Sequence, residues 1–140
     1  MATSVYLSNP SVTINSVDLT DQCTSAVINY VYEQLETTAF GDTARKFGGS
    51  AVTSLQNNSI DVTLYQSYAA SETEATIFGL VGIVTTLVVK PSSAAVGATN
   101  PSYTLTGAYL SAHTPINASL GELSELTLTF SGGVLTKAVA

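Results

Sequence analysis

The sequence predicts a mainly β chain, an antiparallel β-sandwich or flattened barrel of about seven strands with one short helix. Three observations carry this: strict apolar–polar alternation in several segments, enrichment of those segments in β-branched and aromatic residues, and only one stretch with helical periodicity. ELTLTFS, residues 125–131, sets Leu126, Leu128 and Phe130 against Glu125, Thr127 and Thr129, the pattern of a strand with one packed face. SIDVTLYQ repeats it, with Ile60, Val62 and Leu64 opposite Asp61, Thr63 and Tyr65. AVINYVYEQL, residues 26–35, is β-branched and aromatic but divides its faces less cleanly, so both faces are expected to be covered. SVTIN, IVTTLVVK and SYTLTGAYLSAH complete the strands, and VLTKAVA is a further edge strand.

The single helix is predicted after Ser71, which with Glu74 forms a capping box. Glu72 and Glu74 sit at the positive end of its dipole. Ala75, Phe78 and Val81 form its apolar spacing, and Gly82 ends it. No linker, repeat or charged tail divides residues 1–140, which read as one domain. Three connections are long for this size, residues 37–51, 91–102 and 114–122; long connections in compact domains are functional or disordered, and the last two are too poor in charge for solvated disorder.

Of the 140 residues 45% are hydrophobic and only 10% charged, against about a quarter in ordinary soluble domains. Ser, Thr and Asn cover the polar faces instead, a surface suited to burial against other subunits, with a threonine-rich monomer as the alternative. The net charge of −6 opposes a nucleic-acid reader, which needs a basic patch to displace phosphate counterions. Cys23 is the one cysteine, so no intrachain disulfide is expected. The first residues lack a basic segment followed by an apolar run, so no signal peptide is expected. The most apolar stretch, residues 75–89, is shorter than a bilayer span and contains glycines and threonines, so no membrane partner is expected. The glycosylation triplets at Asn57 and Asn117 read as chance.

Catalytic constellations fail in turn. His113 is the only histidine and is expected at the surface or an interface. Cys23 has no adjacent basic residue to activate it and reads as a packed or half-buried thiol. Asp18 and Asp21 suit the turn in NSVDLTD, where Asx side chains bond nearby amides. No phosphate-binding glycine loop or zinc spacing occurs, and the chain is expected to be no enzyme, with no cofactor and no metal.

TTAFGDTARKFGGSA, residues 37–51, is the most unusual segment. It concentrates Asp42 with Arg45 and Lys46, two of the chain's four basic residues, among Phe40, Phe47 and three glycines. VTINSVDLTDQCTSAVINY, ETTAFGDTARKF, SIDVTLYQSYAASETEATIFGLVG and PSSAAVGATNPSYTLTGAYLS together resemble major tail (tail tube) proteins of long-tailed phages infecting actinobacteria, over residues 12–137. The resemblance is densest in TAFGDTARKF and PSSAAVGATNPSY. It implies a β-sandwich flanked by a helix, assembled as six-fold rings stacked into a hollow tube in the virion tail and made in the host bacterial cytoplasm. Its partners would be further copies and other tail and connector proteins, and DNA would pass without specific binding.

In that family a long loop after an early strand reaches a neighbouring subunit or ring. Here Phe40, Asp42, Arg45, Lys46 and Phe47 would make those contacts, the phenylalanines as anchors and the charges setting register against a neighbour's carboxylates. An ordinary solvated hairpin loop is the alternative for this segment. A lumen should repel DNA, and Glu125, Thr127 and Thr129, or Asp61 with Thr63, are its candidate faces. The neighbouring functional possibility is a capsid decoration or head–tail connector protein.

Overall fold

The computed structural model describes residues 10–48 and 55–140. Its strands are β1 (Ser11–Ile14), β2 (Val17–Asp18), β3 (Cys23–Asn29), β4 (Ser59–Tyr65), β5 (Val84–Lys90), β6 (Ser102–Leu110), β7 (Glu125–Ser131) and β8 (Val134–Ala138). The helix α1 (Thr73–Ile77) continues into one 3₁₀ turn, Phe78–Leu80. All pairings between these strands are antiparallel, in the order β2-β1-β5-β6-β7-β4-β3 with β8 also on β6. The class is the predicted one.

Strand β6 joins the two wings of the sheet. One of its edges pairs with β5, and the other is shared between β8, at Ser102–Thr106, and β7, at Tyr109 and Leu110. The change of partner falls at Gly107, whose φ of +83° opens the strand. The following β7–β8 turn packs against this point. A Cβ on Gly133 would stand 2.3 Å from the Thr106 carbonyl oxygen, so only glycine permits the approach. Hydrogen bonding therefore runs unbroken between the wings, and the result is one open sheet wrapped over its core.

Alternation decides what fills that core. Val12, Ile14, Ile60, Val62, Leu64, Leu87, Leu105, Leu110, Leu126, Leu128 and Phe130 are each at most 1% exposed and belong to one cluster. Burying each such side chain contributes about 1.5–3 kcal/mol. Asn15 and Ser16, both at positive φ, close the β1–β2 hairpin with the twist that a two-residue turn requires.

The helix departs from expectation in its cap and its face. Ser71 adopts φ +61° within a turn, so it does not cap; Glu72 is the N-cap and makes no side-chain cap bond. The Glu74 carboxylate accepts bonds from elsewhere in the fold instead. The buried residues are Thr73, Ile77 and Leu80, while Ala75, Phe78 and Val81 face outward. Gly82 does end the turn, at φ +84°.

Segment 26–35 is corrected too. Strand β3 stops at Asn29, and Tyr30 to Leu35 run on as an arm with both faces largely open. The cause is the side chain of buried Asn58, whose Oδ1 accepts the Val31 amide at 3.0 Å, just before β4 begins. Asn58 Nδ2 also donates to Gln56 Oε1 and to the Gly133 carbonyl, tying the arm's root to the β7–β8 turn.

Residues 91–101, between β5 and β6, form an organised loop. Asn100, 9% exposed, donates to the carbonyls of Ser92, Ala94 and Ala95 and accepts the Ser92 amide.

Candidate assembly surfaces

The register of β3, β4 and β7 assembles the predicted polar residues into one outward face. Asp61 lies opposite Thr129, Thr63 opposite Thr127, and Tyr65 opposite Glu125. On the other side of β4, Val27 opposes Asp61, Ser25 opposes Thr63 and Asn29 opposes Ser59. Cross-strand bonds knit the rows together. Thr129 Oγ1 donates to Asp61 Oδ1 at 2.7 Å, the Thr63 and Thr127 hydroxyls meet at 3.3 Å, and Asn29 Nδ2 donates to Ser59 Oγ at 3.1 Å. These strands carry no Lys or Arg. All four candidate lumen residues, Glu125, Thr127, Thr129 and Asp61, thus share a surface of hydroxyls and carboxylates.

Residues 35–48 fold back on themselves as a finger. The Gly48 amide donates to the Leu35 carbonyl and the Thr37 amide to that of Lys46, both at 2.8 Å. Its tip is the turn Ala39–Asp42, closed by the Asp42 amide on the Ala39 carbonyl, with Gly41 at φ +94°. Asp42 Oδ2 accepts the Ala39 amide in return, at 2.8 Å. The charges expected to meet a neighbour are matched inside the finger: Arg45 Nη1 pairs with Glu36 at 2.6 Å and Lys46 Nζ with Asp42 at 2.7 Å. Lys46 and the Ala39 amide hold the Asp42 carboxyl below the ordinary value of 3.8. Phe40, in the tip, is fully exposed, at 109%, and Phe47, opposite Glu36 nearer the base, is exposed as well. Residues 49–51, the end of the predicted segment, lie outside the described residues.

His113 is placed otherwise than expected. Its side chain is only 2% exposed, with Nε2 2.8 Å from Glu74 Oε2 and its ring edge-on to Phe78. Gln66 Nε2 donates to the same Glu74 oxygen and to the Pro115 carbonyl. Helix α1, the exit of β6 and the exit of β4 are thereby clipped together. Cys23 is a half-buried thiol, and burial pushes its pKa up. Asp18 serves its turn as predicted: it accepts the Thr20 hydroxyl and, at 2.9 Å, the Thr20 amide, and these bonds lower its pKa. Among the described residues, no three of His, Cys, Asp or Glu converge on a possible metal position, and no helix is long and apolar enough to cross a membrane.

No protein-family model matches the chain, and no curated protein does. Solved structures do. A chain of the virion of a native gene transfer agent particle aligns with a TM-score of 0.65 at 13% identity, covering 97% of this chain and all of that one. A chain from the structure of the anti-feeding prophage cap, which terminates that particle's tube, gives 0.69 at 13% identity, covering 100% and 94%. One from the extended sheath–tube complex of an extracellular contractile injection system gives 0.68 at 10% identity, covering 99% and 93%. One from a gene transfer agent tail refined with C6 symmetry gives 0.56 at 15% identity, covering 85% and 83%. Over essentially its whole length, the chain shares the fold of proteins from phage-like tail and injection assemblies.

Proposed function

We propose that this chain is a structural protein of a phage tail whose copies assemble into stacked six-fold rings, forming a tube through which DNA passes during ejection. The observation that carries this reading is the bonded hydroxyl-and-carboxylate face of β3, β4 and β7 on a fold found in tail and injection assemblies. Carboxylates and hydroxyls give DNA no cation to bind, so the duplex slides past without exchanging counterions. The six-fold count is carried over from the C6 symmetry of the similar gene transfer agent tail.

The finger would make the contacts between subunits. Sparse charge, a finger exposing Phe40 and Phe47, and further apolar side chains exposed at Ile116, Leu120 and Leu123 support a chain with more than one contact surface. A capsid decoration protein needs only one attachment face. Negative-stain microscopy of the purified chain tests the reading. Tubes or stacked rings with a central channel are expected, and monomers or isolated trimers at all concentrations would refute it.

A further inference from the structure

Two turns in this structure are built alike and lie at opposite ends of the same strands. In Ala39-Phe40-Gly41-Asp42 and Ser119-Leu120-Gly121-Glu122, the fourth amide donates to the first carbonyl, at 3.1 Å in both. The third residue is glycine at φ +94° and +85°, and an acidic residue follows. Each turn presents a large apolar side chain entirely to solvent, Phe40 at 109% and Leu120 at 104%. The arm that carries the finger leaves β3 at Asn29, which pairs with Ser59 at one end of β4, whereas the Leu120 turn precedes Glu125, which pairs with Tyr65 at the far end of β4. Seven strand residues separate these ends, about 20 Å at 3.3 Å per residue.

We propose that the Leu120 turn of one copy docks, head to tail, against the finger of a second copy, the contact by which copies stack. This rests on the tube reading and names the partner surface of the finger. The finger has an open concavity in which Ala39, Phe40 and Ala44 lie beside Arg45 and the two acids, Glu36 and Asp42, that the basic pair already neutralises. Charge selects this pairing over Leu120 turn against Leu120 turn. Residues 114–125 hold Glu122 and Glu125 and no basic residue, so two such loops repel, while in residues 36–47 two acids balance two bases. Arg45 makes both its bonds to Glu36 through Nη1 with its side chain 75% exposed, so the guanidinium has donors left for Glu122 of the second copy. Surfaces at opposite ends of one chain make a heterologous contact, which extends from copy to copy instead of closing as a dimer.

The test uses two full-length chains, each with Cys23→Ser, one carrying Ala44→Cys and the other Ser119→Cys, mixed and treated with a short bismaleimide. The expected product is the mixed cross-link, in large excess over either homodimer. Leu120→Asp in the otherwise unchanged chain should raise the concentration needed for assembly by about one to two orders of magnitude, the worth of one buried leucine. Tubes that form without the mixed cross-link, or unimpeded by Leu120→Asp, overturn this docking and leave the tube reading standing. An unsubstituted chain that never assembles overturns both.

Discussion

Leu128 and Asn58 illustrate how single side chains hold this fold. Leu128 is 1% exposed and lies opposite Val62 in the register that carries the polar face on its other side. Leu128→Ala should cost about 2–5 kcal/mol in urea unfolding, and a loss below about 0.5 kcal/mol would contradict the packing. Asn58→Ala removes the acceptor of the Val31 amide and the donor to the Gly133 carbonyl, both part-buried bonds, which should cost about 1–3 kcal/mol. The same change should speed hydrogen exchange at Val31 selectively, because that amide has lost its partner. Leu128 is legible in the sequence because alternation directly reports a half-buried strand. Asn58 is not, since an asparagine before a strand looks like any turn residue until its partners, up to 75 positions away, are known.

At the scale of elements, the finger is held mainly by backbone bonds and by pairs within itself. Reversing both charges, Arg45→Glu with Lys46→Glu, should leave the monomer's melting temperature close to unchanged, because solvent screens exposed pairs and leaves them little weight in stability. Polymerisation measured by light scattering should be abolished; unimpaired polymerisation would show that the basic pair makes no contact between copies. Acid should loosen the tip. The pKa of Asp42 is depressed in the folded chain, so its contribution is present above the ordinary value of 3.8 and lost as pH falls through the lower folded value. Protection of the Ala39 amide, corrected for intrinsic exchange, should therefore drop below about pH 3.8 and recover on return to neutrality.

The sequence reveals the finger's unusual composition but not that its charges pair internally, which depends on the fold-back of residues 37 and 46. The helix is legible in place but not in face. Ala75, Phe78 and Val81 match helical spacing, yet the 3₁₀ turn and the recruitment of Glu74 by His113 and Gln66 turn Thr73, Ile77 and Leu80 inward. His113 reads as a surface residue because its partner lies 39 positions away, on the helix.

For the whole molecule, low charge and the polar faces of β4 and β7 are legible in the order of residues, and they join on one surface through the strand register. What residue order does not carry is the continuity of the sheet through β6, since two strands share one of its edges on either side of Gly107. Nor does it give meaning to the similarity of the AFGD and SLGE turns, because their opposite positions follow from β4 alone. Everything proposed above turns on where the polar face lies when copies assemble. A cryo-EM reconstruction of the tubes, at a resolution that traces strands, tests it directly. Asp61, Glu125, Thr127 and Thr129 of every copy are expected on the inner wall. The same residues on the outer surface, or buried between subunits, would contradict it.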